Sequence, residues 1–261
     1  MRFLVISILA AALGFAQAPA VQPGSVINAA SFAVGRPVTP GSLISIFGSN
    51  LAAALTVAST VPLSTMLGDV SVAFNGVPSP LLFVAPGQIN AQLPWNLPTA
   101  GNVSMVVNRS TGASPAINVP VAEFSPGIFT IPGGVGQAIA INLDGSLAAA
   151  IGSVPGIMTR PTRSGDALIL LVTGLGAVDQ PVPSGQAGGP TTLRNTLTTP
   201  QVLVGGVPVT QVLFSGLSPE FPGVNQLNII VPAMVAPGAS VPLQLVLGGI
   251  TTSNQVTIAV Q

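Results

Sequence analysis

The sequence predicts an all-β protein that consists of two tandem immunoglobulin-like β-sandwiches. Three observations lead to this fold class: an internal repeat, short segments in which apolar residues alternate, and turn residues at close intervals. Glycine (30) and proline (26) together exceed a fifth of the 261 residues, and they separate the apolar segments along the chain. This punctuation is typical of many short strands joined by turns, as in β-sandwiches.

The internal repeat divides the chain into two units of roughly 110 residues each. Four segments of the first unit recur in the second in the same order, with an offset that only grows along the chain. The pairs are 41–51 with 165–175, 75–78 with 205–208, 81–84 with 212–215, and 88–94 with 226–232. One duplicated unit with insertions in its loops explains this pattern.

The segments within each repeat have the features of strands. Residues 69–76 alternate apolar with smaller or polar residues and end in Asn75-Gly76, which is a hairpin turn signal. Gly205-Gly206 is the corresponding turn pair in the second repeat. No segment shows convincing helical periodicity, so the sequence predicts strands throughout.

The repeat also predicts the boundaries of the parts and two core positions. We expect Phe83 and Phe214, which match each other in the repeat, to occupy equivalent sites in the two cores. The predicted parts are a signal peptide over 1–18, a first sandwich over 19–123, a connector over 124–136 and a second sandwich over 137–261.

The first residues have the pattern of a secretory signal peptide. Arg2 supplies the positive charge, residues 3–15 are mostly apolar, and small residues follow. Cleavage after Ala16 would leave Gln17 as the first residue of a secreted, periplasmic or cell-surface protein. The alternative is a membrane anchor, although the apolar stretch is short of the roughly 20 residues that cross a bilayer.

Several strings of the chain resemble a known family. They are VINAASF, PGSLISIFGSNL, VSVAFNGVPSPLLFVAPGQINAQLPW, SPGIFT, GQAIAINLDGS and VTGLG. These strings resemble the Solibacter uncharacterised C-terminal domain family, which occurs mainly in soil Acidobacteria and is related to the IPT/TIG immunoglobulin-like domains. The resemblance covers nearly all of residues 24–261 and implies the fold and an exported location, but no chemistry. That region usually closes a larger exported protein, whereas here we expect it to form the whole mature chain.

The composition excludes several function classes. The chain has no His, Cys, Lys or Tyr, so the usual catalytic triads, thiolate metal sites and Walker loops cannot be assembled. Six arginines balance six acids, which is too little positive charge for nucleic acid or an anionic membrane surface. We therefore predict no catalytic residue, no cofactor, no metal, no nucleic-acid partner and no membrane span after signal cleavage.

The carboxyl groups are the remaining means of acid–base chemistry. A glycan hydrolase or lyase could use two of them if they converged in one cleft. Most lie beside glycine, proline or turn residues, so we expect them to be scattered and solvent-facing. The six are Asp69, Glu123, Asp144, Asp166, Asp179 and Glu220.

Two features indicate a candidate ligand surface. Trp95, the only tryptophan, ends a predicted strand, where it could stack on a sugar ring or close the end of a sandwich. Amide side chains recur on one face of the matching strands of both repeats, where they could bind a polar ligand or satisfy a neighbouring loop. These amides are Gln88, Asn90 and Gln92 in the first repeat, and Gln226 and Asn228 in the second.

Three functions are compatible with this sequence. The leading hypothesis is an exported, non-enzymatic structural or interaction module, for adhesion or a cell-envelope matrix, with an extracellular protein or polysaccharide as partner. The alternatives are a carbohydrate-binding module that uses Trp95 and a carboxylate-based glycan hydrolase or lyase. An exposed Trp95 would favour the first alternative, and two carboxyls converging in a cleft would favour the second.

Overall fold

The computed structural model describes residues 17–252 and 254–261. The predicted signal peptide, residues 1–18, lies outside the described residues except for its last two positions. The described residues form an all-β protein with tandem immunoglobulin-like sandwiches, as the sequence predicts. Within these ranges, no helix has the length and apolar character that crossing a membrane requires.

The first sandwich contains ten strands. They are β1 (Ala20–Asn28), β2 (Leu43–Ser49), β3 (Thr56–Val57), β4 (Ser71–Phe74), β5 (Val77–Pro78), β6 (Leu81–Ala85), β7 (Gln88–Gln92), β8 (Ala100–Arg109), β9 (Gly112–Ala113) and β10 (Ile117–Ala122). The front sheet has the order β1-β2-β7-β6-β3. The back sheet has the order β10-β8-β4-β5, and β9 pairs with β8.

The second sandwich contains the remaining strands. They are β11 (Gly127–Ile128), β12 (Thr130–Ile131), β13 (Gly136–Ala138), β14 (Ala140–Asn142), β15 (Leu147–Ala148), β16 (Thr159–Arg160), β17 (Ala167–Thr173), β18 (Gln201–Val204), β19 (Val207–Pro208), β20 (Val212–Leu217), β21 (Asn225–Ile230), β22 (Gly238–Leu247), β23 (Ile250–Thr251) and β24 (Val256–Val260). The front sheet has the order β16-β15-β14-β17-β21-β20, and β11 pairs with β17. The back sheet has the order β12-β13-β24-β22-β18-β19, and β23 pairs with β22.

The two sandwiches share a strand order where the repeat matches. The series β1-β2-β7-β6 in the first front sheet corresponds to β14-β17-β21-β20 in the second, and β10-β8-β4-β5 corresponds to β24-β22-β18-β19. The turn after β4 has positive φ at Asn75 (48°) and Gly76 (78°), and the turn after β18 has it at Gly205 (59°) and Gly206 (80°). Positive φ at both central residues defines the type I′ hairpin, and Asn and Gly adopt it at little cost.

Each sandwich has its own hydrophobic core between its two sheets. In β4 the side chains of Val72 and Phe74 are buried, and at the matching positions of β18 so are Val202 and Val204. The intervening residues of both strands face outward, as the period of two along a strand requires. The buried residues of both strands are therefore the ones that the alternation in the sequence predicts.

The prediction that Phe83 and Phe214 lie in the cores is wrong, although the two positions are equivalent. Both side chains are only half-buried. Phe83 pairs with Asn90, and Phe214 pairs with Asn228, on the outer face of each front sheet. The cause is a register shift just before each phenylalanine, where one extra residue in β6 or β20 moves the following side chains to the other face.

The segment predicted as a connector, residues 124–136, is largely part of the second sandwich. Its strands β11 and β12 pair with β17 and β13, and Ile128 is buried in the second core. Glycine at position 127 allows this close packing, because the Cβ of any other residue would lie 2.5 Å from Asn28 Oδ1. The chain therefore passes between the sandwiches with little free length.

Hydrogen bonds tie the sandwiches together at a junction that buries several polar groups. The Leu43 amide donates to the Gly223 carbonyl at 3.0 Å, and the Leu63 amide donates to the Gly185 carbonyl at 2.9 Å. Asn28 Nδ2 donates to the Ser125 carbonyl at 2.7 Å. Bonds that bridge the two sandwiches at separate points resist both rotation and separation.

Candidate ligand-binding groove

A groove of about 540 Å³ lies on the outer face of the second front sheet. Strands β20 and β21 form its floor, and the loop between β17 and β18 forms one wall. Its lining residues are Gly189, Pro190, Thr192, Leu193, Leu213, Phe214, Leu217, Pro219, Glu220, Gln226 and Asn228. The volume falls within the range of roughly 300–1,000 Å³ that is usual for sites that hold small ligands.

Two of the predicted amides, Gln226 and Asn228, lie on the floor of this groove. The neighbouring residues of β21, Leu227 and Ile229, are fully buried in the core, so the amides project away from it. Gln226 Nε2 donates to Asn228 Oδ1 at 2.9 Å. Among the described residues, no protein group bonds the Nδ2 of Asn228 or the Oε1 of Gln226, so both atoms remain available to a ligand.

The apolar side of the groove comes from residues that the sequence analysis did not assign to a site. The bulge in β20 brings Phe214 opposite Asn228, and the extra residue, Leu213, is 60% exposed. Leu193, in the loop between β17 and β18, is 67% exposed. The sequence does not show that exposed apolar side chains lie beside the amides, because the bulge decides which face of the sheet each residue of β20 occupies.

The matching amides of the first sandwich form the same bond but are more fully satisfied. Gln88 Nε2 donates to Asn90 Oδ1 at 2.8 Å, and Ser45 Oγ donates to the same oxygen at 3.0 Å. Ser45 pairs with Asn90 across β2 and β7, whereas Ile169 pairs with Asn228 across β17 and β21. Because isoleucine has no donor, Asn228 Oδ1 keeps a free acceptor position that Asn90 Oδ1 has lost.

Gln92, the fifth predicted amide, is buried at the junction and does not lie on an open surface. Its Nε2 donates to the Gly41 carbonyl at 3.0 Å, and its Oε1 accepts from the Gly185 amide at 2.5 Å. The side chain thus joins the first sandwich to the loop between β17 and β18. That loop also forms a wall of the groove, so Gln92 helps to hold this wall in place.

Trp95 is also at the junction, half-buried between the two sandwiches. Its indole ring lies on Gly41 and packs against a small cluster that includes Val178 and Leu217. Its backbone amide donates to Ser184 Oγ at 3.1 Å, and its Nε1 is buried. The structure therefore gives Trp95 a packing role. Leu217, which belongs to the cluster that Trp95 packs against, also lines the groove.

The loop between β17 and β18 is held in place by its own polar contacts. Asp179 accepts hydrogen bonds from the backbone amide and the side chain of Asn195, and these bonds lower the pKa of Asp179. Arg194 Nε donates to the Gly188 carbonyl at 2.8 Å. These contacts anchor both ends of segment 189–193, which lines the groove.

Two carboxyls converge, but not in the groove. Asp144 and Asp166 both pair with Arg160, the second at 3.5 Å. The hydrogen bond from Ser146 and the bond from Arg160 lower the pKa of Asp144 well below its ordinary value. A general acid needs the opposite shift, so Asp144 serves as an ion-pair partner of Arg160. In the part of the chain that the structure describes, no cluster of three or more acids could hold a metal ion.

We expect Asp69 to make part of the stability depend on pH. The hydrogen bond from Ser110 lowers the pKa of Asp69, and Arg109 adds to this effect. Because the folded pKa lies below the unfolded one, the stabilisation is complete above about pH 4 and is lost as pH falls through the folded pKa. Replacing Asp69 with Asn should cost about 1 kcal/mol near neutral pH, since the carboxylate is 30% exposed and screened.

Urea unfolding of the wild type and of Asp69→Asn at several pH values measures this difference. The difference should vanish in acid, where the wild-type carboxyl is also protonated. An equal difference at every pH would contradict the assignment to the charge of Asp69.

Residues 25–119 match the IPT/TIG domain family. This match relates the first sandwich to the IPT/TIG immunoglobulin-like domains, as the sequence resemblance implies. The narrower resemblance to an acidobacterial family stays a prediction. No curated protein matches the chain.

Solved structures of glycan-utilization proteins are similar to the chain at low identity. SGBP-B from a xyloglucan utilization locus of Bacteroides uniformis has 15% identity over 93% of this chain and 49% of its own, with a TM-score of 0.26. SGBP-B from a mixed-linkage glucan utilization locus of Bacteroides ovatus has 14% identity over 95% and 48%, with a TM-score of 0.35. The surface glycan-binding protein PbSGBP-B from Prevotella bryantii has 10% identity over 92% and 42%, with a TM-score of 0.27. The chain spans less than half the length of each of these proteins.

Proposed function

We propose that the protein is an exported, non-enzymatic interaction module whose ligand surface is the groove on the second sandwich. The observation that carries this proposal is the unsatisfied hydrogen-bonding capacity of Gln226 and Asn228 on the groove floor. A concave site with apolar walls and a few fixed polar groups is the usual form of a binding site. The signal-peptide pattern of residues 1–18 supports a partner outside the cytoplasm.

The carboxyl groups favour binding over catalysis. Within residues 17–252 and 254–261, Glu220 is the only ionisable residue that lines the groove, and its side chain is exposed. Carboxylate-based glycosidases need a second carboxyl on the other side of the bond that is cleaved. The two acids that do converge, Asp144 and Asp166, share Arg160 and line no part of the groove.

The first sandwich and the junction serve as a support in this proposal. The loop between β17 and β18 rests on the first sandwich through Gln92 and Leu63, and it carries Leu193 into the groove wall. A wall that is fixed before binding loses little conformational entropy when a ligand arrives. The tandem arrangement thereby preorganises a site that the second sandwich presents.

We expect the purified chain to sediment with cell envelopes or with insoluble polysaccharides, and to release no soluble sugar from them. Co-sedimentation measures the binding, and an assay of reducing ends measures turnover over the same incubation. Gln226→Ala with Asn228→Ala should reduce the bound fraction, whereas Gln88→Ala in the first sandwich should not. Accumulating reducing ends would refute the non-enzymatic proposal, and binding unchanged by the groove variant would refute the site.

A further inference from the structure

The geometry points to a neutral polysaccharide segment as the ligand of the groove, with Glu220 acting against acidic polysaccharides. This inference rests on the proposed function and names the chemical class of the ligand and the residue that selects it. It is carried by three properties of the groove: its charge, the hydrogen-bonding capacity of its floor and the apolar character of one wall.

The charge of the groove disfavours anionic ligands. Among the residues that the structure describes, Glu220 is the only ionisable one in the lining, and no arginine lines the groove. Arg194, the arginine in the adjoining loop, directs its guanidinium to the backbone carbonyls of Gly188 and Gln180. A site for phosphate, sulfate or uronate would need a cation or a cluster of backbone amides to stabilise the negative charge. Here the one charged group repels such a ligand.

The floor of the groove suits hydroxyl groups. A hydroxyl both donates and accepts hydrogen bonds, so it needs a surface that offers both. Asn228 offers the two N–H groups of Nδ2 and one acceptor position on Oδ1, and Gln226 offers Oε1 and one N–H group. Neighbouring hydroxyls of a sugar ring can bond the oxygen and the nitrogen of one amide at the same time.

The apolar wall suits the C–H faces of sugar rings. Phe214 stands opposite Asn228, so an apolar surface and an amide lie side by side. Leu213 and Leu193 extend this surface and are both mostly exposed in the free protein. Covering them with the carbon face of a sugar removes apolar area from water, which contributes favourably to binding.

A chain of sugars fits this arrangement better than a peptide does. Gln226 and Asn228 are two residues apart on one strand, and their side-chain amides bond each other at 2.9 Å, so they form one continuous polar surface along the strand. A peptide that bound by strand addition would use backbone groups at the edge of a sheet. Here the available groups are side-chain amides on the face of β21, an interior strand between β17 and β20.

Calorimetric titration of the full chain with hydroxyethyl cellulose, mannan, xylan and dextran tests the inference. We expect at least one of these neutral polymers to bind, and we expect Gln226→Ala and Asn228→Ala each to weaken that binding by about tenfold. Gln88→Ala makes the same change on the matching strand of the first sandwich and should leave the affinity unchanged. Thermal unfolding of each variant verifies that it remains folded.

The role of Glu220 is tested on a matched pair of polymers at low ionic strength. Hydroxyethyl cellulose and carboxymethyl cellulose share a backbone and differ in charge, so the wild type should bind the anionic polymer more weakly. Glu220→Gln should raise the affinity for carboxymethyl cellulose by about threefold and should not raise that for the neutral polymer. Equal binding of both polymers by wild type and variant would overturn the selection by charge.

The outcomes separate this inference from the proposed function. If no neutral polymer binds, but a protein of the cell envelope binds and Gln226→Ala weakens that binding, the ligand class is wrong and the interaction module stands. If neither polymers nor envelopes bind, both proposals fail. Tight binding of acidic polymers alone would also overturn the ligand class.

Discussion

Replacing Phe74 with Ala should lower the free energy of unfolding of the first sandwich by about 3–5 kcal/mol, the usual cost for a buried aromatic. Phe74 is fully buried and belongs to the first core, which contains side chains of both sheets. Its removal takes away the transfer free energy of the ring and leaves a cavity that close-packed neighbours cannot fill. Urea unfolding of the wild type and variant measures the difference.

Phe83 and Phe214 are the controls for this prediction. Both are half-buried on the outer faces of the front sheets, so Phe83→Ala and Phe214→Ala should each cost about 1 kcal/mol. The same substitution of Phe by Ala at three sites then compares a core position with two positions on the outer faces of the sheets. A cost at Phe83 as large as that at Phe74 would mean that the outer face of the first front sheet is part of the core.

The repeat and the turns made the fold predictable from the sequence. The matching segments predict that β2, β6 and β7 correspond to β17, β20 and β21. The matching strands follow the same order in both sandwiches. The turn pairs Asn75-Gly76 and Gly205-Gly206 adopt the expected positive φ angles. These features depend on short-range chemistry, namely alternation along a strand and the φ angles that Asn and Gly tolerate.

The bulges were not predictable, and they decide which residues form the site. One extra residue in β20 turns Phe214 outward and leaves Leu213 exposed beside the amides. A bulge depends on how two strands pair, and a single sequence does not show the pairing register. The repeat predicts the amides Gln226 and Asn228, but no pattern in the sequence predicts their apolar neighbours.

The contacts at the junction between the sandwiches could not be predicted from the sequence either. Gln92 follows Gln88 and Asn90 at the same spacing, so the alternation predicts that all three lie on one face. The structure separates them, because the loop between β17 and β18 covers Gln92 and bonds it. Contacts between segments roughly 90 residues apart depend on how the two sandwiches dock, and alternation carries no information about docking.

Gly41→Ala should displace the indole of Trp95 and destabilise the junction by about 2–5 kcal/mol. Gly41 has a φ of 84°, and a Cβ there would lie 2.2 Å from the Trp95 ring. The left-handed backbone costs a non-glycine residue about 1–2 kcal/mol, and the overpacking adds about 1–3 kcal/mol. Since Trp95 is the only tryptophan, the fluorescence of the chain reports its surroundings directly. The emission should shift to the red and become easier to quench with acrylamide.

The second repeat supplies the control for this variant. Gly165 matches Gly41 and has nearly the same φ, 85°, but a Cβ there meets nothing within 4 Å. Gly165→Ala should therefore cost only the backbone term of about 1–2 kcal/mol and leave the emission unchanged. In the background of Trp95→Ala, the clash at position 41 is absent, so Gly41→Ala should then cost about as much as Gly165→Ala. If Gly41→Ala is no more costly than Gly165→Ala with Trp95 present, and the emission stays the same, then Trp95 does not pack on Gly41.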